Sequence, residues 1–415
     1  MNSFINKFNL INITSFLISV YILYFICAYA HYDFDQYNFL YNFKEKFSDF
    51  IELTAAVKNK DPYFRSEAWH ISFYPPAGYG LISLLNYFGI KSGAVSFIKW
   101  ILLNLILLSI AAYKLSQKYA FKISLNYLLF FMFFIFSYPF YYAVDRGNLE
   151  AIAILLIFIA ISLKNRYLST IFIGAAGAIK IVPILFCLLY FDKKNIKYLL
   201  SCLFFFVLIT IISLSYFDAF IIPQFKQFFT NISLWGHSSL VNPIEYANYE
   251  GPKQYILASA TTDLFDAIRI ICLGLNYYTA GSAPYFYYKI SILIFLFFII
   301  LAIPSFSENE RFLVIAILCT ITLPLTYIYR LTFLYISAFL LIQQEGSRFI
   351  ILLISFLLIP KSFIQIFYKV DINSLLIPFI LLGILIFTLK NTYRKGGVLI
   401  FWRDLFLNRR FNVIK

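Results

Sequence analysis

Apolar runs of about 20 residues, separated by short clusters of Lys and Arg, recur along the whole chain. A helix needs about 20 apolar residues to cross roughly 30 Å of hydrocarbon, and only helices or closed barrels satisfy their backbone groups there. The pattern predicts spans near residues 10–30, 94–113, 124–142, 148–163, 197–216, 286–304, 311–326, 327–343, 347–367 and 373–389, about ten in all. The first run follows Lys7 and ends in Ala-Tyr-Ala, as a signal peptide does. It is longer than an ordinary signal core, so an uncleaved span is expected.

Two apolar stretches break the pattern. Residues 73–90, FYPPAGYGLISLLNYFGI, open on a Pro pair, which predicts a short slanted helix or a partly inserted hairpin. Residues 167–190 carry Lys180 and Pro183 at their middle. The clusters KLSQKYAFK (114–122), KNR (164–166), DKKNIK (192–197) and the tail from Lys390 mark the cytoplasmic side by the excess of Lys and Arg there. For KNR and DKKNIK to share that side, 167–190 must go in and return, as two half-helices meeting near Lys180. SENER (307–311) falls on the same side without the positive excess.

This topology places both termini in the cytoplasm and two large loops, 31–72 and 217–285, outside. The first loop holds seven acidic and five basic side chains and the second five and three, so neither has the inner-face excess. The expected organisation is an all-α polytopic membrane domain over 1–389, followed by a basic amphipathic cytoplasmic tail over 390–415. In that tail, RKGGVLIFWRDLFLNRRFNVIK interleaves basic and apolar residues as a helix on the inner leaflet would.

Composition agrees. Of 415 residues, 61% are hydrophobic and 13% charged, well outside the range of soluble domains. The net charge of +14 sits in helix-end clusters, which reads as topology and not as nucleic-acid binding. Cys27, Cys187, Cys202, Cys272 and Cys319 form no CxxC or Cys/His pattern, and His31, His70 and His237 are dispersed, so no metal site is expected.

The candidate chemistry collects on the outward side. Asp33 and Asp35, in AHYDFDQYNFLYNF, follow the first span; they are either a solvated border or a general base, since an ionised carboxylate can take a hydroxyl proton. Asp145-Arg146-Gly147-Asn148 lies between two long apolar runs. It suits a tight turn with Asp145 and Arg146 paired locally, or an Arg that holds a phosphate. Lys180 within an apolar stretch is costly unless paired or hydrated, so it either snorkels to the interface or is a functional cation. Arg330, in TYIYRLTFLYI, suits an interface anchor or a contact to an anionic headgroup.

These pieces together resemble membrane glycosyltransferases of the GT-C type, and within them glycosyltransferase family 87, the polyprenol-phosphate-mannose-dependent mannosyltransferase-like group. The matching pieces, in order, are Asp33-Phe34-Asp35-Gln36-Tyr37, DPY at 61–63, YPP at 74–76, RGN at 146–148, GAAGAIKIVP at 174–183, GHSSL at 236–240 and LPLTYIYRL at 323–331. The resemblance implies a GT-C fold, a sugar carried on a polyprenyl phosphate, and transfer with inversion to an acceptor hydroxyl of a lipid or glycan.

By the Asp-x-x-x-Tyr spacing the resemblance makes Asp33 the catalytic base and Asp35 its understudy. It places Tyr37, Tyr74, Arg146, Asn148 and Lys180 at the donor phosphate or substrate, together with His237, Ser238, Tyr329 and Arg330. Some family members carry a histidine pair where this chain has Tyr329-Arg330, which makes Arg330 the replacement phosphate contact. A lipid phosphate already leaves readily, so a base and cations suffice and neither metal nor cofactor is expected. The implied setting is a bacterial-type inner membrane with the active site outward, the donor, acceptor and lipid as partners, and no nucleic acid. Other readings are a flippase or transporter of a lipid-linked sugar, which internal repeats would favour and none is evident, and a scaffold of envelope glycan synthesis.

Overall fold

The computed structural model describes residues 47–58, 62–63, 74–119, 137–192, 194–217, 221–240, 283–321, 328–341, 350, 353–354, 357 and 373–394. Among them every regular element is helical. The first α-helices are α1 (Ser48–Val57), α2 (Pro76–Tyr87), α3 (Ala94–Tyr119), α4 (Tyr138–Asp145), α5 (Glu150–Ser162) and α6 (Arg166–Ile179). A 3₁₀ helix, Val182–Tyr190, precedes α7 (Ile196–Ser215), α8 (Ile221–Leu240), α9 (Ala283–Ala302) and α10 (Glu308–Ile321). A second 3₁₀ helix, Ile328–Thr332, leads into α11 (Phe333–Leu341), and α12 covers Asn373–Arg394.

Three described helices are long and apolar enough to cross a membrane, over Ala94–Leu115, Ile196–Ser215 and Leu376–Tyr393. Their outer faces carry Ile98, Leu102 and Ile106 on α3, Phe204, Val207 and Ile211 on α7, and Phe379, Ile386 and Phe387 on α12, all exposed. Apolar area on that scale requires a lipid environment. The candidate spans at 10–30, most of 124–142 and most of 347–367 lie outside the described residues, as does the tail 395–415.

At the centre is α5, which packs between α3 and α6. It is apolar around its whole circumference, and all its residues except Leu156 are buried. A helix of this kind belongs inside a protein. Its 13 residues extend about 20 Å at 1.5 Å each, shorter than the full span expected over 148–163. Neighbouring helices cover it along its length, and the chain becomes exposed at Lys164 just past its C-terminal end.

The stretch 167–190 folds back on itself at Lys180. Asn165 starts α6 by accepting bonds from the backbone of Tyr167 at 2.9 Å and Leu168 at 3.2 Å. The helix stops at Lys180, whose backbone is extended at φ −140°, ψ 128°, and Pro183 opens the 3₁₀ return leg. The hydroxyl of Tyr190 at the end of that leg donates to Ser169 Oγ at 2.9 Å, and the Arg166 guanidinium donates to Asn195. Small residues let the layers touch: a Cβ at Gly177 would lie 2.9 Å from Ile184 Cβ in the return leg, and one at Gly174 would lie 2.9 Å from Cys202 O in α7.

Within 73–90, where residues 74–90 are described, Pro76–Tyr87 form one short helix, α2, with Pro76 in its first turn, where a missing N–H costs nothing. Within the loop expected at 217–285, residues 221–240 are helical. The described part of this helix has mixed faces: Ile222 (81% exposed), Phe225 and Phe229 face outward with Lys226 and Thr230, while Phe228 is buried beside Gln224 and Asn231. Asn231 Nδ2 donates to Tyr63 O at 3.2 Å. A buried face that mixes polar and apolar residues weakens the periodic signal of a helix.

The two ends of the helical body differ. One gathers Arg166, Asp192, Asn195 and Arg311, with Arg311 Nη1 3.4 Å from Asp192 Oδ2, so KNR, DKKNIK and SENER converge as the topology required. The other gathers Asp49, Arg146, Glu150 and Lys180 at the opposite ends of α5 and α6. Burial pushes the Asp192 carboxyl up, but bonds from Asn195 and Arg311 outweigh it and hold the group below its ordinary value of 3.8. A group depressed on folding stabilises above its unfolded value and loses that contribution as pH falls through the folded one. Hydrogen-exchange protection of the Asn195 amide is therefore expected to hold from about pH 7 to about pH 5 and to decline only below about 3.9. A decline already complete at pH 5 would remove Asp192 as the determinant.

Candidate functional site

The site is built on the turn between α4 and α5. Gly147 has φ 69°, a conformation that suits glycine. Asn148 N donates to Ala143 O at 2.8 Å and Gly147 N to Val144 O at 3.0 Å, the paired bonds of a Schellman end. Three successive carbonyls of the turn then accept from outside it. The Trp100 indole donates to Val144 O at 3.0 Å, Phe47 N to Asp145 O at 2.8 Å, and Asp49 N to Arg146 O at 3.0 Å. The start of α1, whose first N–H groups have no partner within the helix, is thereby stitched to the turn. Phe47 and Phe50 stack at 4.4 Å and press on Trp100.

That docking places Asp49 beside the Arg-Gly-Asn motif. Arg146 Nε and Nη2 donate to Asp49 Oδ1 at 2.8 and 2.5 Å, and Asn148 Nδ2 donates to Asp49 Oδ2 at 2.6 Å. Asn148 Oδ1 accepts from Glu150 N at 2.9 Å, which caps α5. The local Asp145–Arg146 pair expected from sequence is replaced by this one across 97 residues. At the close of α4 the Arg146 side chain reaches toward α1, and Tyr142 supports it through a bond from Nη1 at 3.3 Å.

Deeper in, the end of α6 delivers Lys180. Its ammonium lies 3.7 Å from the centre of the Tyr74 ring, a cation–π contact, and is within electrostatic reach of Glu150, Arg330 and Asp49. Gly78 in α2 lets these strands of chain meet, because a Cβ there would lie 3.1 Å from Ile179 O, 3.4 Å from Leu149 Cδ1 and 3.4 Å from the Tyr74 ring. The 3₁₀ helix Ile328–Thr332 packs on α4 and α5 and brings Arg330. Its Nε and Nη1 are buried and donate to no described residue. The Glu150 carboxylate is fully buried and likewise accepts nothing from described residues. Cys319 of α10 completes this neighbourhood.

Tyr74, Arg146, Asn148, Lys180 and Arg330 thus meet at one end of the helical body. Asp33, Asp35 and Tyr37 lie outside the described residues. His237 and Ser238 fall in α8 and Tyr329 in the second 3₁₀ helix, where only their backbone is described. Asp49 and Glu150 were missed. KFSDF gives Asp49 no distinguishing pattern, and Glu150 reads as the acid that commonly opens a helix; the signal available was its place beside RGN, ahead of an otherwise wholly apolar helix. Among the described residues, no three His, Cys, Asp or Glu gather as metal ligands.

Among the described residues, then, an all-helical body with three membrane-length helices carries an acid–amide–guanidinium lattice and two further cations at one end. The comparison with known families is specific: the model for glycosyltransferase family 87 matches residues 73–328, more than half of the chain, and the protein belongs to that family. The match includes Tyr74, Arg146, Asn148 and Lys180, begins after Asp33 and stops two residues before Arg330. No curated protein and no solved structure gives a significant match.

Two outcomes test this construction. Gly147→Ala is expected to lower stability by about 2 kcal/mol or more, from left-handed strain plus overpacking, because its Cβ would meet Phe47 and would lie 2.6 Å from Phe50 Cβ. Gly147→Asn, although tolerant of positive φ, should do no better in detergent unfolding; full recovery by Asn would show that strain alone matters. Asp49→Asn should cost about 2 kcal/mol by leaving Arg146 and Asn148 short of a charged acceptor. The double variant with Arg146→Gln should regain part of that loss, and strict additivity would deny the pairing.

Proposed function

We propose that the protein transfers a sugar, mannose or another hexose or pentose, from a polyprenyl-phosphate donor to a hydroxyl of a lipid or glycan acceptor at the outer face of a bacterial-type inner membrane, with inversion. What carries the reading is the meeting of Lys180 and Arg330 in a family 87 chain, at the end opposite the Arg166–Asp192–Arg311 cluster. In this reading α6 and its 3₁₀ return leg form a re-entrant pair that opens on the inner side and lifts Lys180 toward the outer one.

The chemistry is one displacement. The acceptor oxygen attacks the anomeric carbon from the face opposite the phosphate, and its proton passes to Asp33, with Asp35 as the neighbouring control. The bond from that carbon to the phosphate oxygen breaks, and its electron pair stays on the phosphate. Lys180 and Arg330 stabilise the charge that develops there, as fixed cations do in water-poor sites. Arg146 has a different part. Bound by Asp49, it holds the turn and α1 in place, and Tyr74 lies under the Lys180 ammonium. The cations supply the countercharge, so we expect no metal requirement.

Purified protein given radiolabelled polyprenyl-phosphate sugars and membrane acceptors should form a labelled product. Asp33→Asn is expected to lower kcat by about 10²–10⁴ in folded protein, the range of a general base, with Asp35→Asn near wild type. Lys180→Gln and Arg330→Gln should each cost about 10²-fold. Movement of the lipid-linked sugar across reconstituted vesicles without any transfer would replace this reading with a transporter.

A further inference from the structure

Glu150 has no part in the transfer chemistry set out above, yet it occupies a costly position. It is fully buried, and neither carboxylate oxygen accepts a hydrogen bond from a described residue. Standing first in α5, it gains from the helix dipole, but a buried carboxylate without donors remains unfavourable. Among the described residues, the charged and titratable groups that share its neighbourhood include Lys180 from α6, Arg330 from the second 3₁₀ helix and Cys319 from α10; Asp49 of the Asp49–Arg146 pair lies within reach of Lys180. That pair cancels internally. Of these groups Lys180 and Arg330 bring two positive charges, and Glu150 offsets one of them.

We infer that Glu150 lowers the positive charge of this site and so curbs the preference that two bare cations would give a doubly charged phosphate monoester over a singly charged phosphodiester. The inference rests on reading Lys180 and Arg330 as the donor-phosphate contacts. A sugar joined to a lipid phosphate is a diester with one negative charge. When the sugar leaves, the electron pair of the broken bond stays on the phosphate and the acceptor proton goes to Asp33. The spent carrier is then a monoester, whose second ionisation lies near pH 6. Repulsion from Glu150 scales with ligand charge, so it acts twice as strongly on the spent carrier as on the donor. The same repulsion opposes charge build-up on the leaving phosphate, so Glu150 slows bond breaking while easing release of the spent carrier.

The test uses the full chain in detergent and two probes, a polyprenyl phosphate and its methyl diester, titrated at pH 7.5. Glu150→Gln is expected to bind the diester about tenfold and the monoester about a hundredfold more tightly, the second factor being the square of the first. At pH 5, where the monoester carries one charge, the gap should close. Glu150→Asp keeps the charge and should return toward the wild-type ratio. An equal change for both probes, or weakened binding of both, would assign Glu150 to packing and overturn the inference. If Glu150→Gln does not fold, wild type decides: its affinity for the monoester relative to the diester should gain no more than about tenfold from pH 5 to 7.5, the factor for one uncompensated positive charge. A relative gain above about thirtyfold, toward the hundredfold of two uncompensated cations, overturns the inference. If neither probe binds wild type, the phosphate site itself fails and this inference with it; if both bind and the ratio ignores Glu150, this inference alone fails.

Discussion

Backbone groups at a helix end must find partners when water is scarce, and the charged end of this protein depends on how the turn after α4 meets that demand. Gly147 takes the left-handed conformation that lets the turn bond its own amides. The carbonyls of Val144, Asp145 and Arg146 are then satisfied by Trp100 and by the first amides of α1. Two helix ends with complementary needs complete one another. Asp49 arrives as a consequence, and with it the network through Arg146 and Asn148 to the first amide of α5.

The cations at this end divide into two kinds. Arg146 is held by a carboxylate and an aromatic hydroxyl, so it fixes geometry. Lys180 rests on a ring, and Arg330 keeps Nε and Nη1 without a described acceptor. Charges with so few described acceptors are expensive in apolar surroundings, and Glu150 lies within electrostatic reach of Lys180.

Part of this was legible in the chain. Two basic clusters flanking a lysine-centred apolar run demanded a fold-back, and the break does fall at Lys180. The Arg-Gly-Asn motif announced a turn because glycine and asparagine suit one. The partner of Arg146 was not legible, because Asp145 is adjacent and Asp49 lies 97 residues away; only the docking of α1 makes the distant acid the nearer one. Hydropathy likewise reports apolar residues without saying whether lipid or protein surrounds them, and α5 is surrounded by protein.

The winding of the return leg has a geometric result of its own. Nine residues at the 3₁₀ rise of about 2.0 Å reach about 18 Å, whereas an α-helix of that length would reach about 13.5 Å. The 14 residues of α6 cover about 21 Å, so the tighter helix nearly matches the longer one with fewer residues. Tyr190 can close on Ser169 only because of that extra reach. The return leg acts as a strut that sets the height of Lys180: rewound as an ordinary helix, it would draw the ammonium down by about one turn, away from Arg330 and the ring of Tyr74.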